Sequence, residues 1–455
     1  VLVVPFQTPP TDPTQTDLGV AMADAIQVRL QSVFAGRVAQ AVAPAPGEDP
    51  KAIGARLGTD AVITGAISQI GSTLKLSVEL VRVSDGQRLT TMVGDADEGH
   101  LFALQDKAAL HLALTLRPDL MPTERGPLAR QDAANAAAYR LFIQARDQWR
   151  HRSREAVAEA IRLYEAAVQR DPRFVRAYAE LAAAYATVDT RTDPLIALPK
   201  AKVTAERAVA LSASSAQAHA ALGLVRYRYE WRWKDAETEF TVALSADPRD
   251  VFTRHQHALF LHVTGRTNEA IAEFERALEL EPDSPAIRAD MVAPLLRAGR
   301  TADARAAVEA VYAIDPAWPT LDQLNADVFA AEGRVGESVA SLWRALLARG
   351  VLAGKVDALR AAYRAGGVTA MLERRITQLT REVEDGPTPP SSYFLATELA
   401  LAHASLKHRD QTLHWLAVAI DLREEAPMHM KASAAFDFVR TDPQFIELLR
   451  RAKLD

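Results

Sequence analysis

Hydrophobic and polar positions follow two different rhythms along this chain, and the rhythm changes near residue 118. Residues 1–4 are a continuous apolar run, the pattern of a buried strand, ended by a Pro- and Thr-rich stretch over 7–16. Leu18, Met22, Ile26 and Leu30 then fall four apart, one face of a helix over 18–34. A loop over 44–50 leads into a short helix that Pro50 opens and Gly58 closes. Residues 61–64 form a second apolar strand. Leu74, Leu76, Val78 and Leu80 alternate with Lys75, Ser77 and Glu79, the period of two of a half-buried strand. Ile70, Gly71 and Ser72 make the turn before it. Ser84, Asp85 and Gly86 make a hairpin turn after it, with residues 88–93 returning antiparallel. An amphipathic helix over 102–116 completes a β-α-α-β-β-β-β-α order, or close to it: a small α/β sandwich with one helical layer.

Three Pro residues between 117 and 130 mark a linker, and from Ala133 onward every periodic segment is helical. Asp247-Pro248, Glu281-Pro282 and Asp315-Pro316 each close a helical stretch at an interval of 34 residues. That interval is the period of the tetratricopeptide repeat, a helix hairpin that buries its apolar face only by stacking on neighbours. The second helices carry the small and aromatic positions of that pattern. These are Ala236, Phe240 and Ala243, then Ala270, Phe274 and Ala277, with Ala160, Tyr164 and Ala167 earlier. Small residues at a crossing let helices approach, and the aromatic fills the space between turns. From Pro172 to Pro248 the interval is two periods plus eight, which places an extended inter-helix loop over 190–200. After Pro316 the pattern decays into one further unit, two helices around Gly366-Gly367, a helix pair over 393–423 and a cap over 431–454. The expected fold is α+β: an α/β domain over 1–118, a linker over 119–132, a repeat array over 133–350, and irregular helical repeats with a cap over 351–455.

Composition narrows the function. The chain has 455 residues, 49% of them hydrophobic, and a formal charge of −5 with Arg and Glu interleaved. A clustered basic face for nucleic acid is not present. No cysteine occurs, so thiol nucleophiles, disulfides and Cys-based metal sites are excluded. No window of about 18 apolar residues exists to span a bilayer. The first residue is Val rather than Met and the chain starts within a strand, so a longer protein with a missing upstream part is expected.

Asp49-Pro50, Ile53-Gly54 and residues 57–62, followed by Gly65, resemble the small α/β domain called TolB-like. Residues 19–25 resemble its first helix and residues 102–106 its last. Fused to tetratricopeptide repeats, with Trp231, Trp233 and the ending Arg440-Thr441-Asp442-Pro443, it resembles the sensory region of transmembrane winged-helix regulators of the CadC/ToxR type. The resemblance implies a non-catalytic, extracytoplasmic sensor, with DNA reached only through an upstream domain and the membrane only through an upstream helix. The same module also follows Ser/Thr kinase and adenylate cyclase domains, so a regulatory tail and a free-standing cytoplasmic or periplasmic scaffold stay open.

Chemistry-bearing residues are few. By repeat register Phe252, His255, Leu259 and His262 on one first helix, with Ala286, Ala289 and Ala293 on the next, line a groove for a peptide, protein or small ligand. His255 and His262 are two turns apart, too far for a chelate, and no metal or cofactor is expected. Tyr227, Tyr229, Trp231 and Trp233 read as inter-repeat core. Glu237 and Glu239, and Glu424 and Glu425, read as solvated pairs, and Arg29 and Arg37 as exposed cations able to meet an anion. The strand edges near Val1 and over 88–93 offer a route to a homodimer.

Overall fold

The computed structural model describes the chain except for residues 9–18, 21, 24, 28, 31–32, 35–37, 39–48, 57, 72, 98–100, 122–134, 152, 188–193, 386–393 and 455. Leu18, Arg37, Ser72, the loop over 44–48 and nearly all of the expected linker lie outside the described residues. The chain divides into two compact units, residues 1–150 with 154–178, and residues 151–153 with 179–455.

The first unit holds a four-stranded sheet in the order β1 (Leu2–Val3), β2 (Ala61–Ile70), β3 (Thr73–Arg82), β4 (Arg88–Asp97). β1 runs parallel to β2, and β2, β3 and β4 are an antiparallel meander. Among the described residues the order is therefore β-α-α-β-β-β-α, one strand fewer than expected. The reason is length: β2 runs on without a break from Ala61 to Ile70. The period-two face of β3 is buried as its pattern requires, with Leu74, Leu76, Val78 and Leu80 inside. They pack with Val3, Ile63, Met22, Ile26 and Leu30 and with Leu104, Ala108 and Leu112. The helices supplying these are α1, whose described residues lie between 19 and 33, and α3 (Leu101–Leu116).

The sandwich has a second helical cover, contrary to the one-layer expectation. α2 (Pro50–Arg56) places Ile53 against Leu2, Val4 and Val62, which point to the opposite face of the sheet. Gly54 makes this close approach possible: a Cβ there would lie 2.5 Å from Val62 and 2.7 Å from Val83. Arg29 is buried rather than exposed, its Nε donating to Asp106 Oδ1 at 2.8 Å and its Nη1 to Ala25 O at 3.2 Å. It ties α1 to α3 and is no surface anion site.

Beyond the sheet every described element is helical. The first unit continues with α4 (Ala136–His151) and α5 (Arg154–Arg170), where Tyr139, Phe142, Tyr164 and Phe174 form one buried aromatic cluster. α6 (Val175–Ala186) follows. α7 (Pro194–Leu211) begins at Pro194 and contains Pro199, so residues 194–200 are helix and not the expected extended loop. A proline at the first helical position is preorganised for helix, and Pro199 removes a single N–H from the ladder.

Four hairpins follow in strict succession: α8 (Ala216–Arg228) with α9 (Trp233–Ala246), α10 (Val251–Val263) with α11 (Thr267–Leu280), α12 (Pro285–Arg297) with α13 (Thr301–Ile314), and α14 (Leu321–Ala331) with α15 (Val335–Ala348). α16 (Ala353–Glu384) is interrupted at Gly366 and Gly367, where Gly367 takes φ 67°, ψ −155°, a conformation open only to glycine. α17 (Leu395–Ser405), α18 (Arg409–Asp421), α19 (Ala426–Met430), a 3-10 turn at Ala434–Val439 and α20 (Pro443–Arg451) end the chain. Among the described residues no helix is long and apolar enough to cross a membrane.

Candidate functional site

The hairpins α8 to α15 repeat in backbone detail every 34 residues. Residues 231, 265, 299 and 333 take positive φ between the two helices, and three of the four are glycine. Arg232, Arg266, Arg300 and Arg334 follow as N-caps of the second helices. Each pairs with the acid three residues on: Asp235, Glu269, Asp303 and Glu337. An acidic residue in the first turn also suits the helix dipole. At the second-helix core positions, Ala236, Phe240, Ala243, Ala270, Phe274 and Ala277 are fully buried. Gly223 lies where a Cβ would meet the Phe240 ring at 3.2 Å, a contact as tight as the crossing allows. A family model described as tetratricopeptide repeat matches residues 264–338.

The chain carries tetratricopeptide repeats.

It is similar in structure to pilF of Pseudomonas aeruginosa at 19% identity over 55% of this chain and 91% of that one, with a TM-score of 0.30. It is also similar to PilW, a type IV pilus biogenesis factor, at 18% identity over 46% and 91%, TM-score 0.35. A third likeness is to the APC/C hetero-tetramer Cut9-Hcn1, at 14% identity over 78% and 60%, TM-score 0.43. Likenesses of this degree carry no statement about partner or activity. No curated protein matches the sequence.

The first helices of the repeats, α8, α10, α12 and α14, adjoin one another in a continuous row. The groove candidates on this row meet different fates. Phe252 is partly buried. His255 is 7% exposed, and its Nε2 lies 2.8 Å from Asp290 Oδ2 on the next first helix. Its ring sits 5.8 Å from that of Phe274. Leu259 joins the core around Ala258, Phe274 and Ile287. Ala286 and Ala289 pack against Val311 and Trp318, so Ala289 serves the junction with the following repeat and has almost no free surface. Ala293 is exposed. His262 is partly buried, with a sealed and unpaired Nδ1. Burial, with His429 and Arg297 nearby, lowers its pKa to about 4.

Four residues of this row were missed from sequence: Asp290, Gln323, Asp327 and Arg228. Two were legible by carrying the register one repeat further. Leu259, Ala293 and Asp327 are 34 apart, as are His255, Ala289 and Gln323. Gln323 Nε2 donates to Asp327 Oδ1 at 2.9 Å. Asp327 is exposed by area, yet surrounding protein mass desolvates its carboxyl and pushes its pKa up to about 6.

The carboxylate pairs expected to be solvated are engaged. Glu424 is buried and accepts from Ala396 N at 3.2 Å, Thr397 N at 2.7 Å and Thr397 Oγ1 at 2.8 Å, capping α17 from a distance of 27 residues. Glu239 meets His219 Nδ1 at 2.6 Å, and Glu237 pairs with Arg266. Glu425 lies 3.9 Å from Arg228 and 3.7 Å from His429. Burial opposes its ionisation, but His429, Arg228 and Arg349 together hold its carboxyl below the usual range. Tyr227, Trp231 and Trp233 are buried, with the Tyr227 ring 5.7 Å from Phe260 and 6.2 Å from Trp233.

Proposed function

We propose that this chain is a non-catalytic interaction scaffold whose row of first helices captures a protein or peptide segment. The observation that carries the reading is the register itself. His255, Ala289 and Gln323 share one register position and Leu259, Ala293 and Asp327 another on three consecutive first helices, with His255 tied to Asp290 and Gln323 to Asp327. An extended or helical segment laid across such a row meets a side chain from each repeat in turn. The test is selection of binders from a random-peptide display library, followed by calorimetry on the selected peptide. Phe252→Ala and Asp327→Ala are each expected to weaken binding about tenfold or more. A selected peptide that binds both variants as it binds the parent chain overturns the placement.

The finer reading is the sensory region of a bacterial membrane-bound transcriptional regulator, lying outside the cytoplasm. It is supported by the resemblance of residues 19–25, 49–65 and 102–106 to the TolB-like domain and by their fusion to the repeats. Each of β1 and β4 pairs on one side only among the described residues, which supports a homodimer formed edge to edge. The gene segment upstream of Val1 decides this reading. A winged helix–turn–helix and about 20 apolar residues there agree with it. A kinase or cyclase domain there makes the chain a regulatory tail instead.

A further inference from the structure

The helices α10, α12, α14 and α17 end in the same way. Gly265, Gly299, Gly333 and Lys407 take positive φ just past them. The next residue, Arg266, Arg300, Arg334 or His408, donates its N–H to the carbonyl five residues earlier, on Leu261, Leu295, Phe329 or His403, at 2.9, 2.9, 2.9 and 3.0 Å. That bond holds positions i and i+5 side by side at the helix end, where their side chains ordinarily make an apolar contact. At one of these ends the Arg334 guanidinium lies 4.3 Å from the Phe329 ring centroid. In the first three hairpins the pair is thus Leu or Phe with Arg, and the Arg is held by the acid three residues on. The α17–α18 hairpin differs. Both held positions are imidazoles, and Gln411 stands in place of the acid. The rings of His403 and His408 lie 5.6 Å apart between centroids, with their Nδ1 atoms at 3.3 Å. The other three hairpins close without such a pair, so packing does not require it.

The separation is long for a hydrogen bond, in which donor and acceptor stand at most about 3.2 Å apart. It matches the edge of a metal tetrahedron. Two imidazole nitrogens bound to one tetrahedral ion at about 2.0–2.1 Å lie about 3.3–3.4 Å from each other. Neighbouring positions of an octahedral ion with bonds of that length come to about 2.9 Å. A ligand imidazole must also be unprotonated. Burial, with the charges of His408 and His414, lowers the pKa of His403. The adjacent cation is already neutralised, since Arg409 pairs with Asp442 and with Asp410 at 2.6 Å. His403 is 9% exposed and His408 is exposed, so the pair is packed on one side and open to water on the other.

We propose that His403 and His408 are a chelating pair for a divalent ion of the zinc class, held at the turn between α17 and α18. Among the described residues no group of three or more His, Asp or Glu is set to hold an ion. The ion therefore keeps water in its remaining positions and stays exchangeable. Residues five apart do not face each other along a continuous helix, and it is the left-handed turn at Lys407, φ 56°, that brings these two together. The site is independent of peptide capture by the first-helix row and is tested without a peptide. The full chain is titrated with Zn²⁺ by calorimetry, and its thermal midpoint is followed with the ion and after EDTA. A saturable site and a midpoint raised by Zn²⁺ and restored by EDTA are expected. Mg²⁺, which prefers oxygen ligands, is expected to do neither. His403→Leu with His408→Arg gives this turn the residue pair of Leu261 and Arg266, which removes both ligands and keeps the packing. It is expected to weaken Zn²⁺ binding at least about tenfold and to abolish the midpoint rise, with helical circular dichroism unchanged. His408→Gln alone, at an exposed position, is expected to do the same and serves if the double variant folds poorly. Absence of saturable Zn²⁺ binding by the parent chain overturns the proposal. So does binding that survives His408→Gln undiminished, or that Mg²⁺ matches.

Discussion

His262 offers the sharpest quantitative test of how the groove row is built. Its imidazole titrates near 6.5 in an unfolded chain and at about 4 in the folded one, because burial disfavours the cation and His429 and Arg297 repel it. Between those two values the folded chain binds fewer protons than the unfolded chain, so stability falls as the pH drops through the window. Arg228, Arg297, His429 and Glu425 are the charged or titratable groups at this end of α8, α12 and the C-terminal segment. Linkage between the two pKa values makes the loss from pH 7 to pH 5 about 2 kcal/mol. Other groups titrate over the same range, so the observable is a difference. Urea unfolding of the parent and of His262→Gln is measured at both pH values. The parent is expected to lose about 2 kcal/mol more than the variant on acidification. If both lose the same amount, the imidazole is not desolvated and the packing of α19 on α10 is misread. Curvature in the unfolding traces separates this from partial unfolding, since repeat arrays lose cooperativity easily.

Two further outcomes follow from the helix ends. Lys407 and Arg423 occupy the residue just past α17 and α18 with φ 56° and 59°, where other hairpins use glycine. Lys407→Gly is expected to raise the unfolding free energy by about 0.5 kcal/mol, because the left-handed strain relieved exceeds the entropy glycine adds. Trp231→Gly at φ 53° is expected to cost about 3 kcal/mol instead, since it empties a buried site beneath Arg423. Glu424→Gln replaces one of the two acceptor oxygens on the α17 N-terminus with a donor. It is expected to cost about 1–3 kcal/mol and to speed exchange at the Ala396 amide. An unchanged midpoint removes Glu424 as a cap.

What could be read without coordinates was whatever repeats within one hairpin. The Asp-Pro stops, Ala236, Phe240 and Ala243 and their equivalents 34 residues on are local requirements of two helices crossing, so pattern alone reveals them. The period-two face of β3 was legible for the same reason. The strand count, the second helical cover and Pro199 within α7 were not, because length and facing are settled by what an element packs against. Arg29 and Glu424 read as surface charges until their partners, Asp106 and the start of α17, were in place. The groove residues divided in the same way. Their register followed from the repeat, but whether His255 finds Asp290 or Ala289 disappears beneath Trp318 depends on the stacking of the next unit. Farthest from the sequence was the bond from Trp233 to Ala452. A helix hairpin encodes its own geometry in neighbouring positions, whereas a contact across 219 residues exists only once the accumulated rotation of the intervening units has brought its two ends together.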